Sequence, residues 1–229
     1  MPSTRAGRVA SATARAVAEI AVSAGLALLL FAAYWEWGTA SVTVHAQERL
    51  MRQLHQADVR PHAHAAVASR SPADAAPANG RPLAEIRIPR LGADYRYVVV
   101  EGTTPADLRT GPGHYAGSAL PGKVGNFVVS GHRTTYAAPF NRIDELRPGD
   151  RILVSAGGVV YVYRVTGTHV VLPTDLAVTA PVPGHPGATP HLARITLTTC
   201  HPKYSAARRL VVVGRLAGTR RAGGTTGSS

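Results

Sequence analysis

Apolar residues fall along this chain in two different ways. Near the N-terminus, residues 20–35 hold no basic residue and no acidic one, and they centre on Leu26-Ala-Leu-Leu-Leu-Phe31. As a helix, residues 16–37 measure about 33 Å at roughly 1.5 Å per residue, enough to cross a hydrocarbon core. Beyond residue 83 the apolar positions come in short runs, broken by Gly and Pro. Alternation over 84–88 and apolar runs at 95–101, 126–130, 151–156, 159–171, 194–199 and 209–216 predict strands. Gly157-Gly158 between two of these runs marks a hairpin. Residues 104–108 and 140–146 read as short helices. Gly111-Pro-Gly113, Pro121-Gly122, Arg147-Pro-Gly-Asp150 and residues 181–190 read as loops and turns. Short strands with few helices over 83–217 predict a mainly β domain, either a sandwich or a barrel.

The flanks of the apolar run give it a direction. Arg5, Arg8 and Arg15 precede it with no acidic residue among them, which keeps the N-terminus in the cytoplasm. Tyr34, Trp35 and Trp37 form an aromatic belt for the outer interface, and Glu19 and Glu36 sit near the two ends. A cleaved signal peptide has a shorter apolar region and a small-x-small cleavage site. The expectation is therefore a single-pass cell-membrane protein with its C-terminal domain outside. Residues 1–15 are the cytoplasmic N-terminus and 16–37 the transmembrane anchor. Residues 38–82 hold a weakly amphipathic helix (41–56) and a tether rich in Ala, Pro, Ser and His. Residues 83–217 form the globular domain and 218–229 a disordered tail. His62 and His64 offer two imidazoles in the tether, too few for a metal site; no metal and no cofactor are expected.

Charge and cysteine content narrow the partners. The formal net charge of +12 invites nucleic acid, yet a sizeable part lies at the two chain ends. No basic stripe interleaved with aromatics runs along the sequence, so nucleic acid is not expected. Cys200 is the only cysteine. An odd cysteine outside the membrane is either an intermolecular bridge or a reactive free thiol.

The surroundings of Cys200 suggest reactivity. It ends the run Arg194-Ile-Thr-Leu-Thr-Thr199 and precedes His201-Pro202. With a period of two, Ile195, Leu197 and Thr199 share one face and Thr196, Thr198 and Cys200 the other, more polar one. A thiol nucleophile needs a proton acceptor or cationic partner and a donor for the oxyanion of a tetrahedral intermediate. His132 follows Gly131 at the end of the apolar run 126–130. His201 adjoins the thiol, but successive strand residues point apart. Arg208 and Arg209 precede Leu210, and Arg209 directly abuts the apolar run. Each residue also has a plain reading: a packed thiol, a surface histidine, cations at the start of a strand.

Taken together, Thr196-Leu-Thr-Thr-Cys200, Ser130-Gly-His-Arg133 and Arg209-Leu-Val-Val212 resemble the three signatures of the sortase family, in the family's chain order. The resemblance covers about residues 83–217. Gly111-Pro-Gly-His-Tyr115, Gly131-His-Arg-Thr-Thr-Tyr136 and Cys200-His-Pro-Lys-Tyr204 look most like class E sortases of high-GC Gram-positive bacteria. The resemblance implies an eight-stranded sortase-type β-barrel with short helices, behind an N-terminal transmembrane helix. It implies a cysteine transpeptidase that cuts a C-terminal sorting signal between Thr and Gly and passes the acyl group to an amine. The implied partners are secreted proteins bearing that signal and a cell-wall precursor or pilin amine. Carried over by motif, Cys200 is the nucleophile, His132 the general acid/base and Arg209 the oxyanion stabiliser. Tyr115, Thr198 and Thr199 contact substrate, and Tyr115 is tied to a Leu-Ala-x-Thr-Gly signal. An L,D-type cysteine transpeptidase is a rival, but its Ser-His-Gly-Cys motif is absent. A tethered binding module without catalysis is the other.

Overall fold

The computed structural model describes residues 3–34, 38–59 and 76–222. The chain divides into two compact units, Met1–Thr39 and Ala40–Ser229.

The first unit is the helix α1 (Ser3–Ala33). Its stretch Thr13–Ala33 has a mean hydropathy of 2.2 with no part of it buried, and is long and apolar enough to cross a membrane. Tyr34 follows it; Trp35 and Trp37 of the expected belt lie outside the described residues.

The second unit holds the helix α2 (Thr39–Val59) from its second residue onward, then eight strands and one short helix. These are β1 (Pro82–Arg87), β2 (Arg96–Glu101), α3 (Pro105–Leu108), β3 (Gly113–His114), β4 (Gly125–Ser130), β5 (Arg151–Ala156), β6 (Val159–Val171), β7 (Ala193–His201) and β8 (Arg208–Arg221). The strands close a barrel in the order β1-β2-β3-β4-β7-β8-β6-β5, with β5 paired back to β1. The pairs β2–β3 and β4–β7 are parallel and the rest antiparallel. The strands that alternate do so as their sequences predict. Ile86, Val99, Phe127, Val129, Ile152, Val154, Ile195, Leu197, Leu210 and Val212 point inward and form one core with Phe140 and Ile143. Burying each such side chain contributes about 1.5–3 kcal/mol.

Three segments differ from the expectation. Residues 113–114 are a strand rather than loop, paired to both β2 and β4. Of the helix expected over 140–146 only a 3-10 turn forms, Ile143–Glu145. β8 runs to Arg221, so residues 218–221 belong to the barrel and not to a tail. The helix expected over 41–56 forms, extends over Thr39–Val59, and packs on the barrel. Leu50 and Leu54, one turn apart, cover the outward faces of Val98 and Val100. One turn earlier Gln47 accepts from Val98 N (2.6 Å) and donates to Val98 O (3.0 Å) and Thr110 O (2.8 Å). That side chain satisfies backbone groups on β2, as a neighbouring strand would. The tether's His62 and His64 lie outside the described residues.

Candidate active site

The site is built by parallel pairing of β4 and β7. Parallel neighbours end on the same side, so the residues that follow β4 meet the end of β7. Ser130 is level with Thr198, Gly131 N donates to Thr198 O (3.1 Å), and the Thr199 hydroxyl donates to Gly131 O (2.7 Å). His132 therefore leaves β4 at the end of the barrel where β7 reaches Cys200, although the two lie far apart in sequence. On the other side of β7, Cys200 directly opposes Arg209 on β8, and His201 opposes Arg208. Directly opposed residues share a face and their neighbours take the other. Arg209 therefore stands on the face of Cys200 and Arg208 does not.

The thiol is free and half-buried. Arg209 is half-buried, and its Nη1 donates to Ala206 O and Arg208 O (both 3.1 Å). Arg208 is exposed. Thr198 shares the outward face with Cys200. Thr199 faces inward, is 3% exposed and has its hydroxyl committed to Gly131. The Thr199 hydroxyl thereby ties the end of β7 to the start of the loop that carries His132.

That loop is tightly held. Phe140 N donates to His132 O (3.0 Å), and the Phe140 ring packs against Gly131 so closely that an added Cβ would stand 2.7 Å from it. Buried Arg133 donates to Asn141 O (3.0 Å) and pairs with Asp144 (3.1 Å), while Asn141 Nδ2 donates to Arg133 O (2.9 Å). Lys203, just past β7, donates to Asn141 Oδ1 (2.9 Å), tying the Cys200 and His132 loops together. Tyr136, Ala137 and Ala138 occupy the left-handed region in succession (φ 54°, 56° and 42°). Each costs about 1–2 kcal/mol for an L-residue. The hydroxyls of Tyr97 and Tyr95 hold this strained turn by donating to Ala137 O (3.1 Å) and Pro139 O (2.8 Å). Burial pushes both phenol pKa values up, so these hydroxyls stay donors.

The turn sets Tyr136 against the His132 imidazole, with ring centroids 4.9 Å apart and planes tilted by 40°. The Arg109 guanidinium carbon lies 5.9 Å from the Tyr136 centroid, and Arg109 O accepts from Thr43 of α2 (2.8 Å). Partial burial lowers the His132 pKa below the ordinary histidine value, by disfavouring the imidazolium.

Tyr115 lies further off. Its N–H bonds Val128 O (2.9 Å), Val128 is level with Thr196, and the residue is exposed. Four residues along β7 and two strand spacings separate its backbone from that of Cys200 by roughly 15 Å, a span an extended peptide covers in about four or five residues. Beneath it, buried His114 bonds Glu101 (2.7 Å) through Nδ1 and Ser118 (2.8 Å) through Nε2, fixing the turn that carries Tyr115. No group of three or more His, Cys, Asp or Glu side chains suited to a metal occurs among the described residues.

Sequence reasoning missed Tyr136, Arg109, Asn141 and the His114–Glu101 pair. Tyr136 stood within a quoted motif, but nothing in its spacing announced a ring against the histidine. A thiol, an imidazole whose pKa burial lowers and a guanidinium at one end of a barrel are group types that acyl transfer can use.

Comparison with known proteins gives one answer. The Sortase domain family matches residues 86–217. Sortase SrtE1 of Streptomyces coelicolor is 35% identical over 210 residues, which cover 88% of this chain and 56% of that protein. The chain thus spans little more than half the length of that relative. Sortase E of Streptomyces avermitilis superposes with a TM-score of 0.58 at 40% identity, over 65% of this chain and 97% of that one. Sortase E1 of Streptomyces coelicolor, with a tripeptide in its active site, gives 0.57 at 35% identity, over 62% and 91%.

Proposed function

The chain belongs to the sortase family, and from that premise we propose that it is a membrane-anchored cysteine transpeptidase whose catalytic residues are Cys200, His132 and Arg209. The observation that carries this reading is the register that sets Cys200 opposite Arg209, while β4 ends beside β7 and delivers His132. The tripeptide in the active site of the Streptomyces coelicolor relative supports a peptide substrate.

The substrate is a C-terminal sorting signal of the Leu-Ala-x-Thr-Gly kind, laid along the outward face of β7 towards Tyr115. The scissile Thr–Gly carbonyl carbon sits at Cys200 Sγ. As Sγ attacks, the thiol proton passes to neutral His132, and the carbonyl oxygen gains negative charge beside the Arg209 guanidinium. Collapse of the tetrahedral intermediate breaks the C–N bond, His132 returns the proton to the leaving glycine amine, and a thioester to Cys200 remains. An amine of a cell-wall precursor or pilin then attacks the thioester. His132 takes the amine's proton and hands it to the departing thiolate, leaving a new amide and a free enzyme. A His132 kept neutral by partial burial suits both proton acceptances.

The test uses the full chain in detergent with a Leu-Ala-x-Thr-Gly peptide and a small amine. Cleavage and amide formation are expected, and both should vanish in Cys200→Ala. Cleavage that survives in that variant refutes the assignment.

A further inference from the structure

Four strands of the barrel each carry one arginine at a common register. Arg151 opposes Arg164 across β5–β6, Arg164 opposes Arg215 across β6–β8, and Arg215 opposes Arg194 across β8–β7. Directly opposed residues share a face. The adjoining positions Ile152, Tyr163, Val165 and Ile195 are buried in the core, so the arginine face is the outer one. The result is a row of four guanidiniums about 14 Å long, at roughly 4.8 Å per strand. Arg151, Arg164 and Arg215 are exposed and Arg194 is half-buried.

Such a row costs stability, because like charges directly opposite repel. Acidic neighbours would ordinarily offset the cost. Elsewhere on this unit they do, as in Arg87–Glu85, Arg133–Asp144 and Arg142–Glu145. Among the described residues none of the four row arginines forms an ion pair. Arg164 Nη1 makes one bond, to Gly149 O (2.8 Å). Asp150, next to the row in sequence, turns instead towards Arg90 (3.9 Å) and Arg147 N (2.9 Å). The charge is left uncompensated on a stiff paired sheet, in the linear form that meets a surface of fixed anions. Guanidinium also matches phosphate oxygens in a bidentate way that ammonium does not. The row is invisible in the sequence because whole strands separate its members.

We propose that this arginine row is a docking surface for the anionic phospholipid headgroups of the bilayer that holds α1, and that it sets the orientation of the catalytic unit on that bilayer. The occupant follows from α1: a chain whose own apolar helix enters a bilayer meets headgroup phosphate at high effective concentration, so a weak charge-based contact suffices. Arg194 and Cys200 share the outward face of β7 six residues apart, so docking holds the thiol within roughly 20 Å of the headgroups. The inference rests on the reading of α1 as the anchor.

The experiment reconstitutes the full chain in phosphatidylcholine vesicles, with or without phosphatidylglycerol. Cys200 is the one cysteine, so a maleimide donor labels a single site, and energy transfer to an acceptor lipid reports its height above the bilayer. Phosphatidylglycerol should raise the transfer, and salt at a few hundred millimolar should reverse the rise by screening. Replacing all four row arginines by Gln should abolish the response, and replacing them by Lys should keep most of it. Should the fourfold Gln variant lose its circular-dichroism spectrum, Arg151→Gln with Arg164→Gln, and Arg194→Gln with Arg215→Gln, should each reduce the response. Equal transfer in both lipids, or a Gln variant that responds like the parent, overturns the proposal. So does a response matched by inorganic phosphate without phosphatidylglycerol, which would make the row a free-phosphate site. A chain that floats with neither vesicle removes the anchor, and the docking role with it.

Discussion

Gly131→Ala tests the packing that aims His132. Gly131 does not use the left-handed region, so alanine suits its backbone. The obstacle is the Phe140 ring, whose Cδ2 would stand 2.7 Å and whose Cε2 and Cγ 3.0 Å from the new methyl carbon. Phe140 is fully buried within the barrel core, and a close-packed interior yields little to a displaced ring. Overfilling a packed core costs about 1–3 kcal/mol. For a domain of this size that corresponds to a fall in Tm of roughly 3–10 °C. Activity should fall further than stability, because Phe140 N also holds His132 O at 3.0 Å. A shift of about 1 Å in the imidazole can cost on the order of a hundredfold in rate. Thermal denaturation and peptide cleavage by the full chain measure the two effects. Adding Phe140→Leu to Gly131→Ala should recover part of both, giving a destabilisation smaller than the sum of the single changes. A Gly131→Ala protein with parental Tm and parental kcat/KM would refute the reasoning, as would strict additivity in the double variant.

Other expectations follow from the same geometry. Arg209→Ala should lower kcat by about 100–1000-fold, as removal of an oxyanion donor does, while Arg208→Ala should stay within a few fold of the parent; equal losses would contradict the register argument. Because burial lowers the His132 pKa, the acid limb of kcat/KM should fall below the ordinary 6.5. Below 6.5 the unfolded state binds the more protons, so the His132 contribution to stability is full above that pH and lost as pH falls through the folded value. The drop in Tm between pH 7 and pH 5 should therefore be smaller in His132→Asn than in the parent. Tyr136→Leu should lower kcat with little change in KM and move the acid limb of the pH profile; an unmoved profile would mean that the ring does not position the imidazole.

Much of the barrel was legible because a strand with one buried face writes its alternation into the sequence. In β7 the inward Ile195 and Leu197 and the outward Cys200 follow directly from a period of two. The helix α2 was legible as amphipathic, with Leu50 and Leu54 four residues apart, but its pattern names no partner, and Val98 and Val100 sit on a distant strand. β3 was not legible: two residues, Gly113 and His114, carry no period, and the pairing is imposed by β2 and β4. The helix expected over 140–146 fails because left-handed residues 136–138 feed it from one side and Pro148 restricts its exit. The largest gap concerns register. Motifs suggested Cys200, His132 and Arg209, but the parallel β4–β7 pairing is a tertiary fact. The choice of Arg209 over Arg208 likewise depends on which residue opposes the thiol. The arginine row was hidden for the same reason, since each member looks like an ordinary polar position in its own strand.

The central claim is that Cys200 becomes acylated by a sorting signal. Intact-mass measurement of the full chain, quenched in acid soon after mixing with a Leu-Ala-x-Thr-Gly peptide, tests it most directly. The account predicts a mass increase equal to the peptide up to its threonine, located at Cys200, lost on addition of an amine acceptor and absent in Cys200→Ala. A parent protein that cleaves the peptide with no adduct at Cys200, or a Cys200→Ala protein that still carries one, would contradict it.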